Sequence, residues 1–232
     1  MTAKIQGDQY YYEKLGPDFD RLMSDYDVSR RIDLIFKRLL LHSDSSSHRS
    51  VLEIGCGTGK ISAELRKRPW QLTVNDISEK LCRQVADSLN CECLVGDCQK
   101  LACADEVYDI IVSSECIEHT LNPWLAMKEM KRVLKKGGCL IVTTPNQLWY
   151  PVLLLMQSLK IRKFRGIENW TWPWAMRDWL KKNDFSNIYF GGCHLFPWQF
   201  PLAKRILPFF DKRGHILYPL MINYGFSAKK GQ

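Results

Sequence analysis

The sequence lacks the features that mark membrane-spanning, secreted and disulfide-rich proteins. Its longest apolar run, Trp149 to Met156, is far shorter than the roughly 20 residues that a membrane-spanning helix needs. The first residues, Met1 to Gly7, contain no hydrophobic segment of a secretory signal, and the nine cysteines include no C-x-x-C pair. We therefore expect a cytoplasmic protein with reduced cysteines. Because 46% of the residues are apolar, the chain can bury a core and is neither disordered nor fibrous.

Acidic residues are scarce in the carboxyl-terminal part of the chain. Residues 146–232 contain 13 Lys and Arg against 4 Asp and Glu, whereas residues 1–145 contain 20 against 21. The formal net charge of +8 therefore comes from the carboxyl-terminal part. This positive excess predicts that the part faces an anionic partner or surface.

A glycine-rich segment, residues 51–59, organises the rest of the chain. The run Val51-Leu52-Glu53-Ile54 predicts a buried parallel strand, and residues 60–65 predict the helix that follows. The loop between them, Gly55-Cys56-Gly57-Thr58-Gly59, has glycine at every second position, so its backbone can turn sharply and lie against a ligand. The helix start adds unpaired N–H groups. Together these features predict a nucleotide site, with a spacing unlike the dinucleotide and Walker patterns.

Polar residues also follow the next three predicted strands. Asp76 ends the second strand, where an acid can accept hydrogen bonds from both hydroxyls of a ribose. Asp97 comes just after the third strand, and Ser114 directly after the fourth. Ligands of open α/β sheets bind at the carboxyl ends of the strands, so these residues define one candidate site.

Residues 50–146 resemble the class I S-adenosylmethionine (SAM)-dependent methyltransferases, in particular the type 11 group similar to UbiE and UbiG. Val51 to Gly59 match the family's first motif throughout. Gly96 to Leu101 match its G-D-A-x-x-L motif with Cys98 in place of alanine, and Thr144-Pro145-Asn146 matches the T-P-N that closes strand five. The resemblance implies a Rossmann-like seven-stranded α/β sheet, mostly parallel with the last strand antiparallel, and helices on both faces.

The same resemblance implies SAM as the cofactor and assigns the residues that bind it. Asp76 would bind the ribose, and Asp97 would accept from the adenine amino group. The full set of implied cofactor-binding residues is Glu53, Gly55, Cys56, Gly57, Gly59, Asp76, Ile77, Asp97, Cys98 and Ser114.

We expect one methyltransferase domain over residues 1–232. It would consist of an N-terminal helical cap and linker (1–48), the SAM-binding core (49–146) and a substrate-recognition part with the last strands (147–232). Apolar residues at helical spacing predict a helix within residues 8–41 that packs on the sheet: Ile32, Ile35, Phe36, Leu39 and Leu40. The aromatic group of Tyr10, Tyr11, Tyr12 and Phe19 is either a lid over the cofactor or ordinary packing.

Glu115, Glu118 and His119 stand at i, i+3 and i+4, on one face if the turn is helical. We favour His119, with Glu118 beside it, as the catalytic pair, because an imidazole pKa of about 6.5 suits proton removal at neutral pH. A disfavoured alternative is a divalent metal on Glu115, Glu118 and His119, with His194 as a fourth ligand, since E-x-x-E-H looks like the metal signature of UbiG-like and small-RNA 2′-O-methyltransferases. A structural pairing of Glu118 with His119 is the third interpretation.

The leading functional hypothesis is methyl transfer from SAM to a small or lipid-like acceptor, at oxygen because of His119. An apolar acceptor tail would suit the Trp149 to Met156 run beside the basic segment Lys160 to Arg165. Such a composition is typical of interfacial segments, so we also expect peripheral contact with an anionic membrane. The alternatives are an RNA methyltransferase of the 2′-O type, against which the dispersed cations argue, and a non-catalytic SAM-binding scaffold.

Overall fold

The computed structural model describes residues 24–42, 49–159 and 166–232. The aromatic group Tyr10 to Phe19, the linker residues 43–48 and the basic segment Lys160 to Arg165 lie outside the described residues. The predictions made for those three segments therefore stay predictions.

Seven strands alternate with helices along the described residues. The strands are β1 (Ser50–Ile54), β2 (Gln71–Asp76), β3 (Glu92–Val95), β4 (Tyr108–Ser114), β5 (Leu134–Pro145), β6 (Phe185–Cys193) and β7 (Asn223–Lys230). The α-helices are α1 (Asp25–Leu34), α2 (Lys60–Leu65), α3 (Glu79–Leu89), α4 (Pro123–Val133), α5 (Tyr150–Ser158), α6 (Pro173–Lys182), α7 (Ala203–Asp211) and α8 (Gly214–Leu217). A π turn (Ile35–Leu39) and 3₁₀ turns (Leu40–His42, Ile117–His119, Gln147–Trp149 and Tyr218–Leu220) complete the chain.

The strands form one sheet in the order β3-β2-β1-β4-β5-β7-β6. Strands β1 to β5 pair in parallel, and β7 lies antiparallel between β5 and β6. This arrangement confirms the predicted Rossmann-like sheet with its antiparallel last strand. The chain moves outward from β1 to β3 and then returns to the other side of β1 as β4, so a crevice opens between the carboxyl ends of β1 and β4.

Helices cover both faces of the sheet because neighbouring residues of each strand point to opposite sides. Leu52 of β1 packs in an apolar cluster with Met127 of α4 and Met176 of α6. Val51, one residue earlier, packs in a second cluster that contains side chains of α1, α2 and α3. Strand β1 is therefore buried on both sides, as its nearly continuous apolar pattern predicts.

The N-terminal apolar stripe packs on the sheet as predicted. Ile35 and Leu39 are fully buried, and the turn that contains them contacts β5, β6 and β7. Burial of these two side chains stabilises the attachment by about 1.5 to 3 kcal/mol each. The described part of the cap therefore lies against the half of the sheet formed by the last strands.

The predicted end of α4 is wrong. The basic residues after Val133 and the pair Gly137-Gly138 predict a helix that runs to residue 136, but α4 ends at Val133 and β5 begins at Leu134. Leu134 is fully buried and pairs with Tyr108 of β4, so the chain enters the sheet directly. Lys135, already in the strand, forms an ion pair with Asp109 at 3.1 Å.

None of the helices formed by the described residues is long and apolar enough to cross a bilayer. All nine cysteines belong to the described residues, and all are free thiols.

Candidate cofactor and acceptor site

The loop after β1 requires glycine for its conformation. Gly55, Gly57 and Gly59 have φ angles of +73°, +52° and +84°, in the left-handed region that favours glycine. A Cβ atom on Gly55 would also lie 2.5 Å from Sγ of Cys116, which is closer than a real contact allows. The alternating glycines of the sequence thus shape a tight turn in which the backbone itself forms the surface.

The ends of β1 and β2 are joined by hydrogen bonds to the glycine loop. The carbonyl of Asn75 accepts from the amides of Gly55 at 2.9 Å and Cys56 at 3.0 Å. The Asp76 carboxylate accepts from the amides of Gly57 at 2.9 Å and Ser78 at 2.9 Å. Burial raises the pKa of Asp76 despite these bonds. Each carboxylate oxygen keeps a lone pair for a further donor, which fits the hydroxyls of a ribose.

Asn75 is a residue that the sequence analysis missed. It is buried, and its side-chain amide donates to the carbonyls of Leu94 at 2.7 Å and Gly96 at 3.0 Å. Asn75 therefore ties the glycine loop to the loop after β3. The available signal was a polar residue at the end of an apolar strand, next to the acid.

Asp97 lies at the end of β3, where the sequence analysis expects the adenine ligand. Its carboxylate accepts from the backbone amide of Gln99 at 2.8 Å and from the side-chain amide of Gln99 at 3.0 Å and 3.1 Å. Gln99 in turn accepts from the amide of Asn122 at 2.9 Å. Cys98, between the two, is buried in the core, as a substitute for a small apolar residue should be.

Glu53 lies beneath the glycine loop at the end of β1. It is buried, and its Oε2 has no hydrogen-bond partner among the described residues. Burial, with a further contribution from the charge of Asp76, raises the pKa of Glu53 to about 8. An ammonium group such as the one at the amino-acid end of SAM would satisfy this carboxylate.

The structure separates Glu115 from the turn that contains Glu118 and His119. Glu115 has φ of +51° and precedes the 3₁₀ turn, so the three side chains do not share a helical face. Asn223 donates to Glu115 at 2.6 Å, and Thr144 donates to Glu118 at 3.1 Å. Burial raises the pKa of Glu115 to about 7 and, together with the charge of Glu115, raises the pKa of Glu118 well above its usual range.

His119 is the partly exposed member of this group. Its Nδ1 lies 2.9 Å from the carbonyl oxygen of Ile167, and Nε2 lies 3.8 Å from Oε1 of Glu118. Because a carbonyl can only accept, Nδ1 carries the proton and Nε2 carries the lone pair of the neutral ring. Ser114, the other polar residue at this strand end, has its hydroxyl 3.0 Å from that of Thr143.

The segment 166–172 holds the turn of His119 in place. The backbone amide of Asn169 donates to the carbonyl of Glu118 at 2.7 Å, and its side chain donates to the carbonyl of Thr120 at 2.7 Å. The next residue, Trp170, packs edge to face on Tyr150 with ring centroids 5.6 Å apart. Its indole Nε1 is buried without a partner among the described residues. The sequence analysis missed Ile167 and Asn169, because an isolated carbonyl and a loop amide leave no pattern.

A buried charge cluster connects α1 to the same end of the sheet. Arg31 pairs with Asp27 at 2.9 Å, and Nε2 of His194 lies 3.0 Å from Asp27. Although burial opposes its charge, Asp27 and then Glu115 raise the pKa of Arg31. His194 is fully buried beside Asp27, so it is not a ligand partner of Glu118 and His119. Within the residues that the structure describes, no three His, Cys, Asp or Glu side chains are grouped to hold a metal ion.

Comparisons with known proteins agree with this geometry. Residues 52–142 match the family model described as a methyltransferase domain. A malonyl-[acyl-carrier protein] O-methyltransferase of Erwinia pyrifoliae is 33% identical over 109 residues, which cover 47% of this chain and 42% of that protein. A ubiquinone biosynthesis O-methyltransferase of Rickettsia typhi is 27% identical over 122 residues, which cover 50% of this chain and 49% of that protein. The chain thus spans about half the length of the curated relatives it matches.

A solved structure extends the similarity to the whole fold. A SAM-dependent methyltransferase from Thermotoga maritima superposes with a TM-score of 0.69 at 18% identity, over 95% of this chain and 99% of that one. Residues 52–142 therefore contain a methyltransferase domain, and the chain shares the fold of a SAM-dependent methyltransferase. The resemblance found in the sequence is confirmed, and SAM is the cofactor of this class.

Proposed function

We propose that this protein transfers the methyl group of SAM to an oxygen atom of a small, partly apolar acceptor. The observation that carries the proposal is the position of His119. It follows the carboxyl end of β4, on the side of the sheet where Asp76 and Asp97 follow β2 and β3, and the Ile167 carbonyl orients its ring. A proton acceptor is thereby brought to the end of the sheet where the cofactor residues stand. All seven strands lie in one sheet, so we further propose that residues 1–232 act as one methyltransferase domain.

The chain's own residues fit SAM at three points. The glycine loop offers a backbone surface without Cβ atoms, Asp76 can accept from the ribose hydroxyls, and Asp97 can accept from the adenine amino group. When bound, SAM supplies a methyl group on a positively charged sulfur. The protein's task is then to align the acceptor with that methyl group and to exclude water.

His119 and Glu118 have different roles in removing the acceptor's proton. Nε2 of His119 takes the proton from the acceptor hydroxyl, while Nδ1 stays bonded to Ile167 and keeps the ring oriented. Glu118 is buried and cannot reach an acceptor. Its role is therefore to position His119 from the buried side of the imidazole ring. Deprotonation raises the nucleophilicity of the oxygen, which is why a base contributes roughly 10²- to 10⁴-fold to such reactions.

The surroundings of His119 suit an acceptor with an apolar part. Trp170, in the segment that holds His119, packs on Tyr150 of α5, and the same helix exposes Leu154 and Leu155. The unpartnered Nε1 of Trp170 can donate to a polar group of the acceptor. Transfer to oxygen is also supported by the two relatives named O-methyltransferases.

An acceptor panel with labelled SAM tests the proposal. The panel contains phenolic compounds, lipid-linked compounds, carrier-linked carboxylates and RNA. We expect label in a phenolic or lipid-linked acceptor at an ether oxygen, because the mechanism requires a hydroxyl whose proton His119 removes. Label in a carrier-linked carboxylate, as an alkali-sensitive methyl ester, would contradict the role of His119 as a base. Label in RNA at a ribose 2′ oxygen would favour the RNA alternative. SAM binding without transfer to any acceptor would favour the scaffold alternative.

A further inference from the structure

The segment between β6 and β7 carries an apolar surface that no described part of the protein covers. Helix α7 buries Ala203, Leu207 and Asp211, which recur at i, i+4 and i+8. A different stripe of the helix faces outward, with Ile206 44% exposed and Phe209 57% exposed. The same stripe continues to Leu202, which is 64% exposed. We call Leu202, Ile206 and Phe209 the outer stripe of α7.

Cations flank the outer stripe, and acids are missing beside it. Between residues 195 and 222 the sequence has four Lys and Arg residues and one acid, Asp211. Asp211 is 1% exposed and pairs with Arg30 of α1 at 2.8 Å, so it does not offset the surface charge. Lys204, Arg205, Lys212 and Arg213 are all exposed. The outward side of α7 is therefore apolar in the middle and positive at its borders.

One contact and the positions on the helical wheel show how the cations relate to the apolar stripe. The guanidinium of Arg213 lies over the ring of Phe209, 4.3 Å from its centroid, and helps to hold that ring at the surface. Viewed along the helix axis, Arg205 and Lys212 lie next to Phe209, on the side of Phe209 that faces away from Ile206. Cations in this position reach phosphate groups while the apolar side chains enter the layer beneath.

From this arrangement we infer that α7 is a membrane-surface element that binds anionic phospholipids. The outer stripe enters the boundary between head groups and acyl chains, and Arg205, Lys212 and Arg213 contact the lipid phosphates. Lys204 instead lies over the ring of Tyr26 of α1, 5.6 Å from its centroid. Nucleic acid fits the surface less well, because Leu202 and Ile206 are aliphatic and the guanidinium of Arg213 already lies over the ring of Phe209, which bases would otherwise stack on. The inference goes beyond the proposed reaction and holds whatever the methyl acceptor is.

The buried side of α7 is fixed to the residue after β6 and, through Asp211 and Arg30, to α1. Asp211 accepts from the backbone amide of His194 at 2.9 Å, and His194 in turn contacts Asp27. A helix that is fixed from within by these bonds presents a preformed surface, so binding does not have to order it.

Vesicle flotation of the full chain tests the inference. Vesicles of phosphatidylcholine alone are compared with vesicles that contain equal amounts of phosphatidylcholine and phosphatidylglycerol, at low and high salt. We expect binding to the anionic vesicles that weakens with added salt, because salt screens the charge contribution. No binding of the wild-type protein to anionic vesicles at low salt would overturn the inference.

Two double variants test whether vesicle binding depends on α7. Ile206→Ser with Phe209→Ser should weaken partition at least roughly tenfold, since each apolar side chain loses its buried position in the lipid. Arg205→Ser with Lys212→Ser should weaken it roughly 30-fold at low salt.

Matched controls come from α4, the residue before its N-cap, and α6, which pack on the other face of the sheet. Leu121→Ser with Leu125→Ser removes two apolar residues that are 48% and 44% exposed, and Lys181→Ser with Lys182→Ser removes two exposed cations. Both controls should bind vesicles like the wild type. Equal binding by the α7 variants and the controls would contradict the inference. Binding of single-stranded RNA that needs Arg205 and Lys212 but is indifferent to the apolar pair would replace it with a nucleic-acid surface.

Discussion

The backbone amide of Gly57 donates a hydrogen bond of 2.9 Å to the side-chain carboxylate of Asp76. The glycine loop after β1 and the acid at the end of β2 therefore form one structural unit. Because the carboxylate is already anchored by this bond and by the amide of Ser78, a ribose would meet an acceptor that is fixed before it arrives. The cofactor edge of the sheet is thus preorganised.

Asn75 should contribute to that preorganisation. Asn75→Ala leaves the carbonyls of Leu94 and Gly96 without their donor, so we expect a loss of about 1 to 3 kcal/mol in the free energy of unfolding and weaker SAM binding. Denaturant unfolding and calorimetric titration measure the two effects. Asn183→Ala, which removes a bond to the Trp179 carbonyl at the end of α6, is the control and should leave SAM affinity unchanged. Equal SAM affinity of the Asn75 variant and this control would contradict the role given to Asn75.

Glu115 should make stability depend on pH. Its pKa of about 7 lies above the ordinary value of 4.5, so the folded state holds the proton more tightly than the unfolded chain. The stabilisation is complete below pH 4.5 and is lost as the pH rises through about 7, in total about 3 kcal/mol. Glu115→Gln should remove this share of the fall in unfolding free energy between pH 4.5 and about 7, while the share of Glu53, whose pKa is about 8, remains. Glu64→Gln, at a surface pair with Lys67, should not, and parallel curves for both variants would refute the assignment.

The buried pair of Arg31 and Asp27 should show strong coupling. Arg31→Met alone leaves the Asp27 carboxylate buried without its cation, which costs about 3 to 5 kcal/mol. The double variant Asp27→Asn with Arg31→Met should lose much less than the sum of the single variants. A matched cycle at the exposed pair Arg83 and Glu79 should give a coupling below about 1 kcal/mol. Chemical unfolding of all variants decides the point, and additive losses at Arg31 and Asp27 would contradict the coupling.

Measurements of turnover should show whether His119 acts as a general base or as a ligand of a metal ion. His119→Ala is expected to keep SAM affinity and to lower turnover by roughly 10²- to 10⁴-fold, while chelator leaves wild-type turnover unchanged. His215→Ala, which removes an exposed histidine of α8, is the control variant. Its turnover is measured with a water-soluble acceptor. The metal alternative predicts instead that chelator abolishes activity and that Mg²⁺ or Mn²⁺ restores it.

The role of Glu118 should appear in the pH profile rather than in binding. Glu118→Gln keeps the shape of the side chain and the contact with Thr144, but it removes a titrating group below His119. We expect SAM affinity to stay constant and the pH dependence of turnover to shift. A profile identical to that of the wild type would show that Glu118 does not tune His119.

The sequence and the family that it resembles were sufficient to predict the sheet and the glycine loop, whereas the roles of the acids toward the cofactor stay predictions. The Val51 to Ile54 run, the alternating glycines and the acids Asp76 and Asp97 are signals within single segments. The helix Glu79–Leu89 also begins at a local signal, since Ser78 at its N-cap accepts from the amide of Leu81. Local propensity and tertiary packing agree in this half of the chain.

What the sequence did not predict depends on contacts between distant segments. The end of α4 was misplaced because pairing of Leu134 with Tyr108 outweighs the helical pattern of the basic residues that follow. The orientation of His119 comes from a carbonyl 48 residues away, and the burial of His194 comes from Asp27, 167 residues away. Such contacts leave no periodic signal in either segment.

The most direct test of whether the carboxyl ends of the strands bind the cofactor is calorimetric titration. SAM is titrated into the wild-type protein, Asp76→Ala and Asp109→Asn. Asp109 is the control because it stands at the start of β4, at the opposite edge, where it accepts from Ser50 and Lys135. We predict that the wild type and Asp109→Asn bind SAM with equal affinity and that Asp76→Ala binds at least roughly tenfold more weakly, since the ribose hydroxyls lose a charged acceptor. Equal affinity of Asp76→Ala and the wild type, or no binding by the wild type, would contradict the assignment.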